Sequence, residues 1–367
     1  LARTQVLVVR RFEVDSARIA GAVALILQNG EPVYQRAVGW SDKEAGTRMA
    51  MDTIFRIASQ TKALTSAAIL QLQEQGKLVV SDPVSKFIPE FANTTVLVKN
   101  ESGTRKVPAT RQITLRDLLT HTAGISYGTD PELADLYAAK GLGPAAGRGW
   151  YTADKNEAIC TTMARLASLP FSAQPGSAFV YGYNTDILGC VVERASGMPL
   201  DEYFRKHITG PLGMKDTHFF LPKDQRRRLA AVYATGPNGK IVRAPNDAKG
   251  QGHYVEGPRK SFAGGAGLLS TARDYARFVI HDRGDRPTAS AAHTTTRATR
   301  RTPRTCARTT TWSGCGSAKR PGTTGPRLVF GARGGLSRNE LSARKAAVSW
   351  WASSQRVKSR CRIRWFG

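Results

Sequence analysis

A serine and a lysine three positions apart, in Ser59-Gln60-Thr61-Lys62, are the residues of this sequence best suited to covalent chemistry. Leu64, Ala68 and Leu72 recur at helical spacing and predict a helix that begins at about Ser59. Residues three apart share a helix face, so the lysine amine can hydrogen-bond the serine hydroxyl. Free N–H groups and the positive dipole end of the first turn favour negative charge there. A desolvated lysine can then help to deprotonate the serine. The alternative interpretation of this short pattern is an N-cap serine with a solvated lysine.

A second serine, Ser126, competes for the role of nucleophile because residues 124–128 fit the G-x-S-x-G pattern of α/β-hydrolases. That pattern requires a buried strand before the serine and a helix directly after it. Here a short predicted helix ending near His121 precedes Ser126, and a turn-like segment follows. We therefore favour Ser59, and we expect His121 to cap the helix C-terminus, where an imidazole can meet free carbonyls.

The elements that must position these residues can be predicted from the same sequence. An apolar run over 20–27, the turn signal Asn29-Gly30 and a second run over 32–38 predict an antiparallel hairpin. Thr114 to Asp117 has the form of a capping box before a short helix. Further helices are predicted over 186–195 and 200–208. Extended structure is predicted to return after Gly264, followed by a helix through Phe278.

These stretches, taken in order, resemble the serine β-lactamase-like superfamily, which includes class C β-lactamases, D-Ala-D-Ala carboxypeptidases and especially family VIII carboxylesterases. The resemblance spans about residues 20–278 and rests on residues 54–62, 76–78, 82–91, 113–125, 175–177, 181–183, 188–189, 196–197, 210–214 and 264–278. It implies an α/β (α+β) fold in which an antiparallel sheet flanked by helices carries an inserted, mainly helical domain. The expected boundaries are 1–75 and 241–278 for the α/β domain, 76–240 for the helical domain, and 279–367 for a tail.

By this resemblance Ser59 is the acylated nucleophile, Lys62 its partner and Tyr181 the tyrosine of a Tyr-x-Asn motif. Such a tyrosine can take the serine proton and later pass it to the leaving group. The Ser59 backbone N–H would supply half of an oxyanion hole, with the second donor on an edge strand. Tyr183 occupies the asparagine position of the motif, and Asn184 follows it. Tyr183 and Tyr127 are the candidates for substrate contacts.

The departure at Tyr183 favours a short-chain carboxylic ester as substrate, because the asparagine of β-lactamases helps to hold the substrate amide. The alternatives are a β-lactamase or D-Ala-D-Ala carboxypeptidase/amidase, or a catalytically impaired relative that binds cell-wall peptides. The impaired relative is considered because the third family motif is missing: the tail offers no strand-like segment that could carry it. Trp312-Ser313-Gly314, Lys319 and Gly334-Gly335 are therefore not assigned to it. No cofactor, metal or nucleic-acid partner is expected.

Charge and cysteines separate the tail from the rest of the 367 residues. Residues 279–367 carry 16 of the 26 net positive charges, and an Arg/Thr-rich stretch within them is too poor in apolar residues to form a core. Two interpretations stay open for the tail: a basic arm for nucleic acid or anionic surfaces, and translation out of frame after Phe278.

The five cysteines form no C-x-x-C pair, so we expect reduced thiols. With no secretory signal visible at Leu1 and no apolar run of about 18 residues, a cytoplasmic protein is expected, or a periplasmic one if a signal has been removed.

Overall fold

The hairpin predicted near the start of the chain is the first sheet of the structure, a computed structural model that describes residues 14–101, 103–144, 152, 155–245 and 253–282. Strands β1 (Gly21–Gln28) and β2 (Glu31–Asp42) pair antiparallel, and β3 (Thr47–Arg48) adds to the other edge of β2. Asn29 and Gly30 have φ angles of 53° and 83°. Both positive values suit the tight turns that match the twist of a hairpin, so the predicted hairpin is confirmed.

Two short strands bring the later part of the chain back to Ser59. Strand β4 (Phe55–Arg56) pairs antiparallel with β9 (Leu269–Ser270). The Ile57 N–H extends this pairing, since it donates to the Leu268 carbonyl at 3.0 Å. The glycine-rich segment before β9 is thereby held beside the turn that carries Ser59.

Helix α1 (Thr61–Glu74) follows a 3₁₀ turn over Ala58–Gln60, so Ser59 precedes the regular helix by two residues. Its buried face includes the predicted Leu64, Ala68 and Leu72 and packs on helix α5 (Asn184–Ser196). Gly76 has φ 69° just beyond the helix, the left-handed conformation that a glycine adopts at low cost.

The predicted capping box starts helix α2 (Leu115–Leu119). The Thr114 hydroxyl accepts from the Asp117 N–H at 3.3 Å, and the Asp117 carboxylate accepts from the Thr114 N–H at 2.8 Å. Arg111 also binds both oxygens of this carboxylate, at 2.6 and 2.9 Å. The local sequence pattern therefore predicts the start of α2 correctly.

The remaining described elements surround these. The helices are α3 (Pro131–Ala139), α4 (Ile159–Leu166), α6 (Leu200–Phe204), α7 (His253–Glu256) and α8 (Ala272–Asp282). The strands are β5 (Thr95–Asn100) with β6 (Gly103–Pro108), and β7 (Tyr233–Thr235) with β8 (Ile241–Arg243), each pair antiparallel. Shorter turns are 3₁₀ over Val84–Lys86, Pro89–Asn93 and Lys223–Arg228, and π over Arg205–Thr209.

This combination of helices with antiparallel sheets confirms the predicted mixed α/β fold class. The largest apolar core joins α1, α5 and the loops around them, with Phe91, Phe171 and Tyr203 among its most buried side chains. The domain boundaries stay a prediction. The third-motif candidates in the tail lie outside the described residues. Within the described ranges no helix is both long enough and apolar enough to cross a membrane.

A disulfide joins Cys160 on α4 to Cys190 on α5, with their Cα atoms 5.0 Å apart. The expectation of reduced thiols is therefore wrong for this pair. The two cysteines are 30 residues apart and belong to no motif, and only the packing of α4 on α5 brings them together. The other three cysteines lie outside the described residues.

Candidate active site

Ser59 lies at the entrance to α1 with two hydrogen-bond donors on its hydroxyl. The Lys62 amine donates to Ser59 Oγ at 3.2 Å, and the Tyr181 hydroxyl donates to the same atom at 2.8 Å. Ala58, directly before the serine, has φ 45°. A left-handed alanine costs about 1 kcal/mol or more and persists where surrounding structure enforces it. The structure thus places the three residues of the predicted catalytic set in mutual contact.

Lys62 is the centre of this set because its amine has three oxygen partners. Besides Ser59, it donates to the Tyr127 hydroxyl at 3.1 Å and to the Gly265 carbonyl at 2.8 Å. Burial lowers the pKa of Lys62 to about 8, and the negative charge of Asp186 opposes part of this effect. A lysine with this pKa exchanges its proton close to neutral pH, as a general base requires.

Tyr181 reaches Ser59 because its chain segment lies directly against the loop after α2. A Cβ added at Gly182 would lie 2.2 Å from the Ile125 carbonyl oxygen, so only glycine permits this approach. The Tyr181 ring stacks on the His121 imidazole, with centroids 4.9 Å apart and an interplanar angle of 27°. The Lys62 amine is 4.8 Å from the centre of the Tyr181 ring, within the range of a cation–π contact.

The imidazole of His121 does not meet the helix carbonyls as predicted. Its Nδ1 lies 3.0 Å from the Asn184 side-chain amide, and its ring packs between Tyr181 and Phe179. Burial, with the positive charge of Lys62 as a second cause, lowers the pKa of His121 to about 3. The imidazole is therefore neutral at ordinary pH and supports the Tyr181 ring. The backbone of His121 closes α2 instead: at φ 56° its N–H donates to the Leu118 carbonyl at 3.3 Å, and the Thr122 N–H donates to the Asp117 carbonyl at 2.8 Å, the Schellman pattern.

The two other predicted tyrosines have different positions. Tyr127 packs edge-on against both Tyr181 and Tyr183, and its hydroxyl accepts a hydrogen bond from the Lys62 amine. Its expected substrate contact stays a prediction. Tyr183 is fully buried, and its hydroxyl accepts from the Gly143 N–H at 2.9 Å. That position does not fit the expected substrate contact, because a side chain without exposed surface can only support Tyr127 from behind.

Asn184 and Ser126 are both turned toward the protein backbone. The Asn184 amide, fully buried, donates to the carbonyls of Ile125 and Val180, each at 3.2 Å. Ser126 is 3% exposed, and its hydroxyl accepts from the Gly128 N–H at 3.0 Å. Since α2 precedes Ser126 and the next helix begins only at Pro131, the strand–turn–helix of a nucleophile elbow is not formed at this position.

Asp186 and Gly265 are site residues that the sequence analysis did not single out. The Asp186 carboxylate is buried on α5 and accepts from the Gly265 N–H and from the Thr152 hydroxyl, both at 3.1 Å. Burial raises the pKa of Asp186, and the Lys62 charge works against that rise. An acidic residue amid the apolar positions of α5, together with the run Gly264-Gly265, was the signal available in the sequence.

The predicted oxyanion hole is described only in part. Ser59 follows the left-handed Ala58 at the start of the 3₁₀ turn, and its backbone N–H remains the candidate for one donor. The second donor, expected on an edge strand of the sheet, stays a prediction. No group of acidic, histidine or cysteine side chains suited to a metal ion occurs in the part of the chain that the structure describes.

Known proteins include relatives that align with more than two thirds of this chain. An uncharacterised protein of Mycobacterium tuberculosis is 36% identical over 273 residues, which are 74% of this chain and 64% of the relative. Esterase EstB of Burkholderia gladioli is 34% identical over 276 residues, 71% of this chain and 65% of EstB. The chain thus spans slightly less than two thirds of these relatives.

Among solved structures, EstCE1, described as a hydrolase with promiscuous acyltransferase activity, matches with a TM-score of 0.65 and 26% identity. The match covers 78% of this chain and 73% of EstCE1. The β-lactamase family pattern matches residues 9–337, most of the sequence. With a serine, a lysine and a tyrosine brought together as the family resemblance implied, the match over this length shows that the chain belongs to the β-lactamase family.

Proposed function

We propose that this protein hydrolyses short-chain carboxylic esters through an acyl-enzyme formed on Ser59. The observation that carries the proposal is the hydroxyl of Ser59, which receives hydrogen bonds from both Lys62 and Tyr181. A serine is a weak nucleophile unless an adjacent base takes its proton. The esterase and hydrolase relatives support the same reaction class.

Lys62 is the base that the hydrogen-bond pattern favours. In its neutral form the amine has two N–H groups, which can donate hydrogen bonds to the Gly265 carbonyl and the Tyr127 hydroxyl. Its lone pair then faces Ser59 Oγ and can accept the serine proton as the oxygen attacks the ester carbonyl. The bond formed is Oγ–C, the carbonyl π electrons move to oxygen, and Lys62 becomes the ammonium form.

Tyr181 can complete acylation by delivering a proton to the leaving alcohol. Its hydroxyl is 2.8 Å from Ser59 Oγ, next to the oxygen that departs when the tetrahedral intermediate collapses. The proton it loses is replaced from Lys62, which returns to its neutral form. Water then attacks the acyl-enzyme with the same groups in reverse roles, which releases the acid and restores Ser59.

An ester is favoured over a β-lactam by the two residues that follow Tyr181 and Gly182. The asparagine position of the motif is filled by the buried Tyr183, and the amide of Asn184 is bound to backbone carbonyls. Both side chains are fully buried, so neither can reach a substrate amide unless it first becomes exposed. A site that lacks such a donor loses more with an amide substrate than with an ester.

Ser59→Ala and Ser126→Ala, compared with the parent protein, test the proposal. With p-nitrophenyl acetate we expect a burst of product and a mass adduct on Ser59 in the parent and in Ser126→Ala, and neither in Ser59→Ala. Hydrolysis that survives Ser59→Ala but disappears in Ser126→Ala would overturn the proposal. Parent protein that forms no adduct with a reactive ester or a penicillin would favour the alternative of a peptide-binding relative without catalysis.

A further inference from the structure

We propose that Asp186 is a positioning residue for the Lys62 amine, acting through the backbone of Gly265 and through its negative charge. This inference rests on the proposed role of Lys62 as base. The contacts form one chain: Gly265 donates its N–H to Asp186 Oδ1 at 3.1 Å, and its carbonyl accepts from Lys62 at 2.8 Å. The carboxylate thus fixes the residue whose oxygen aligns the amine.

The surroundings of Asp186 are unusual for a buried acid. It is 3% exposed, yet among the described residues no lysine, arginine or histidine nitrogen forms an ion pair with it. Asp117 and Asp274, which are comparably buried, are each paired with an arginine. A buried carboxylate without an ion-pair partner is destabilising, and groups of this kind cluster at functional sites.

The position of Asp186 also explains why residue 265 is glycine. A Cβ built there would lie 2.3 Å from Asp186 Oδ2, so any side chain would force the carboxylate or the backbone to move. Close approach of this backbone lets one residue bind the acid with its N–H and the amine with its carbonyl. The Lys62 amine is therefore held near a negative charge but forms no direct ion pair with it. A direct ion pair would favour the ammonium form, which has no lone pair to accept the serine proton.

The groups that face Lys62 identify Asp186 as the source of its compensating charge. They are the hydroxyls of Ser59 and Tyr127, the ring of Tyr181, the Gly265 carbonyl and, through charge, His121 and Asp186. His121 is neutral at ordinary pH, so it supplies no charge that could compensate Lys62. The carboxylate therefore makes the ammonium form of Lys62 easier to reach, which the proposed reprotonation of Tyr181 requires.

Trace acetylation of Lys62 with acetic anhydride tests this inference without depending on ester hydrolysis. The reaction is carried out in a Ser59→Ala background, because that variant has no serine nucleophile to compete for the reagent. Only the neutral amine reacts, so the labelling rate at pH 6 reports the neutral fraction. Asp186→Asn can keep both hydrogen bonds to Oδ1 and removes only the charge. An opposite charge nearby shifts a pKa by about one to three units, so we expect labelling at pH 6 to be about tenfold faster or more.

Asp274→Asn is the matched control, since it neutralises another buried carboxylate that does not act on Lys62. Equal Lys62 labelling in Asp186→Asn and Asp274→Asn would overturn the inference. If Asp186→Asn does not fold, Thr152→Val can replace it, because it removes one hydrogen bond to the carboxylate. We then expect a smaller increase in the labelling rate of Lys62, and an unchanged rate would contradict the inference. The ester assay of the parent tests the proposed function separately.

Discussion

The amine of Lys62 lies 2.8 Å from the carbonyl oxygen of Gly265, 203 residues further along the chain. This contact joins the helix that follows the nucleophile to the glycine-rich segment held in place by β9. It also occupies one proton of the amine, which leaves the lone pair of neutral Lys62 free to face Ser59. The orientation of the Lys62 amine therefore depends on two segments that are distant in sequence.

The first prediction concerns pH. Because burial lowers the pKa of Lys62 to about 8, ester hydrolysis should rise with pH as the ammonium loses its proton, with a midpoint near pH 8 in kcat/KM. Lys62→Arg keeps the charge but cannot release a proton in this range, so activity should fall by about 10²- to 10⁴-fold. Lys86→Arg, at an exposed ion pair with Asp82, is the control and should keep the parent profile. A rate independent of pH between 6 and 10 would contradict this role.

The second prediction concerns stability. A lysine pKa lowered from 10.5 to about 8 in the folded state means that the unfolded chain binds more protons between these values. The cost of burying Lys62 is thus fully present below pH 8 and disappears as the pH passes 10.5. The free energy of unfolding of Lys62→Met, relative to that of the parent, should therefore be higher at pH 7 than at pH 10.5 by about 3 kcal/mol. Urea unfolding at both pH values measures this difference, and an equal effect at both would refute it.

The third prediction concerns the close approach of Gly265 to Asp186. Gly265→Ala should destabilise the protein and lower ester hydrolysis, because the new Cβ would lie 2.3 Å from Asp186 Oδ2. Gly239→Ala, in the β7–β8 turn with φ 75° and open space around it, should cost only about 1 kcal/mol of backbone strain. Asp186→Ala removes the colliding oxygen, so the double variant with Gly265→Ala should be more stable than the sum of the two changes predicts. Strict additivity in thermal unfolding would argue against the collision.

The fourth prediction concerns the bond between Cys160 and Cys190. Alkylation of the unfolded, unreduced protein should leave both cysteines unmodified, and alkylation after reduction should modify both. Removing a link across 30 residues should lower the free energy of unfolding by about 3 to 4 kcal/mol, measured on the double serine variant. Thiols that alkylate without reduction would show that the bond does not form.

Local patterns in the sequence predicted the elements around the site well. The turn at Asn29-Gly30, the capping box at Thr114 and the helix after Ser59 each depend on contacts between residues a few positions apart. Their geometry follows from backbone preferences and side-chain periodicity, which can be read from a short window. The Ser59 and Lys62 pair belongs to this class, because three positions on a helical turn bring their side chains together.

The roles of His121, Tyr183, Asp186 and the two bonded cysteines needed the tertiary structure. Each is decided by a partner that is distant in sequence, and residue type alone does not say which distant groups will be neighbours. The imidazole of His121 was expected to meet helix carbonyls, whereas it stacks on Tyr181 and is kept neutral by burial and by the Lys62 charge. The sequence by itself therefore determined the candidate nucleophile Ser59, its lysine neighbour and the elements that carry them. Only the tertiary structure decided which acid, carbonyl and rings surround the lysine, because long-range packing sets its burial and hence its pKa.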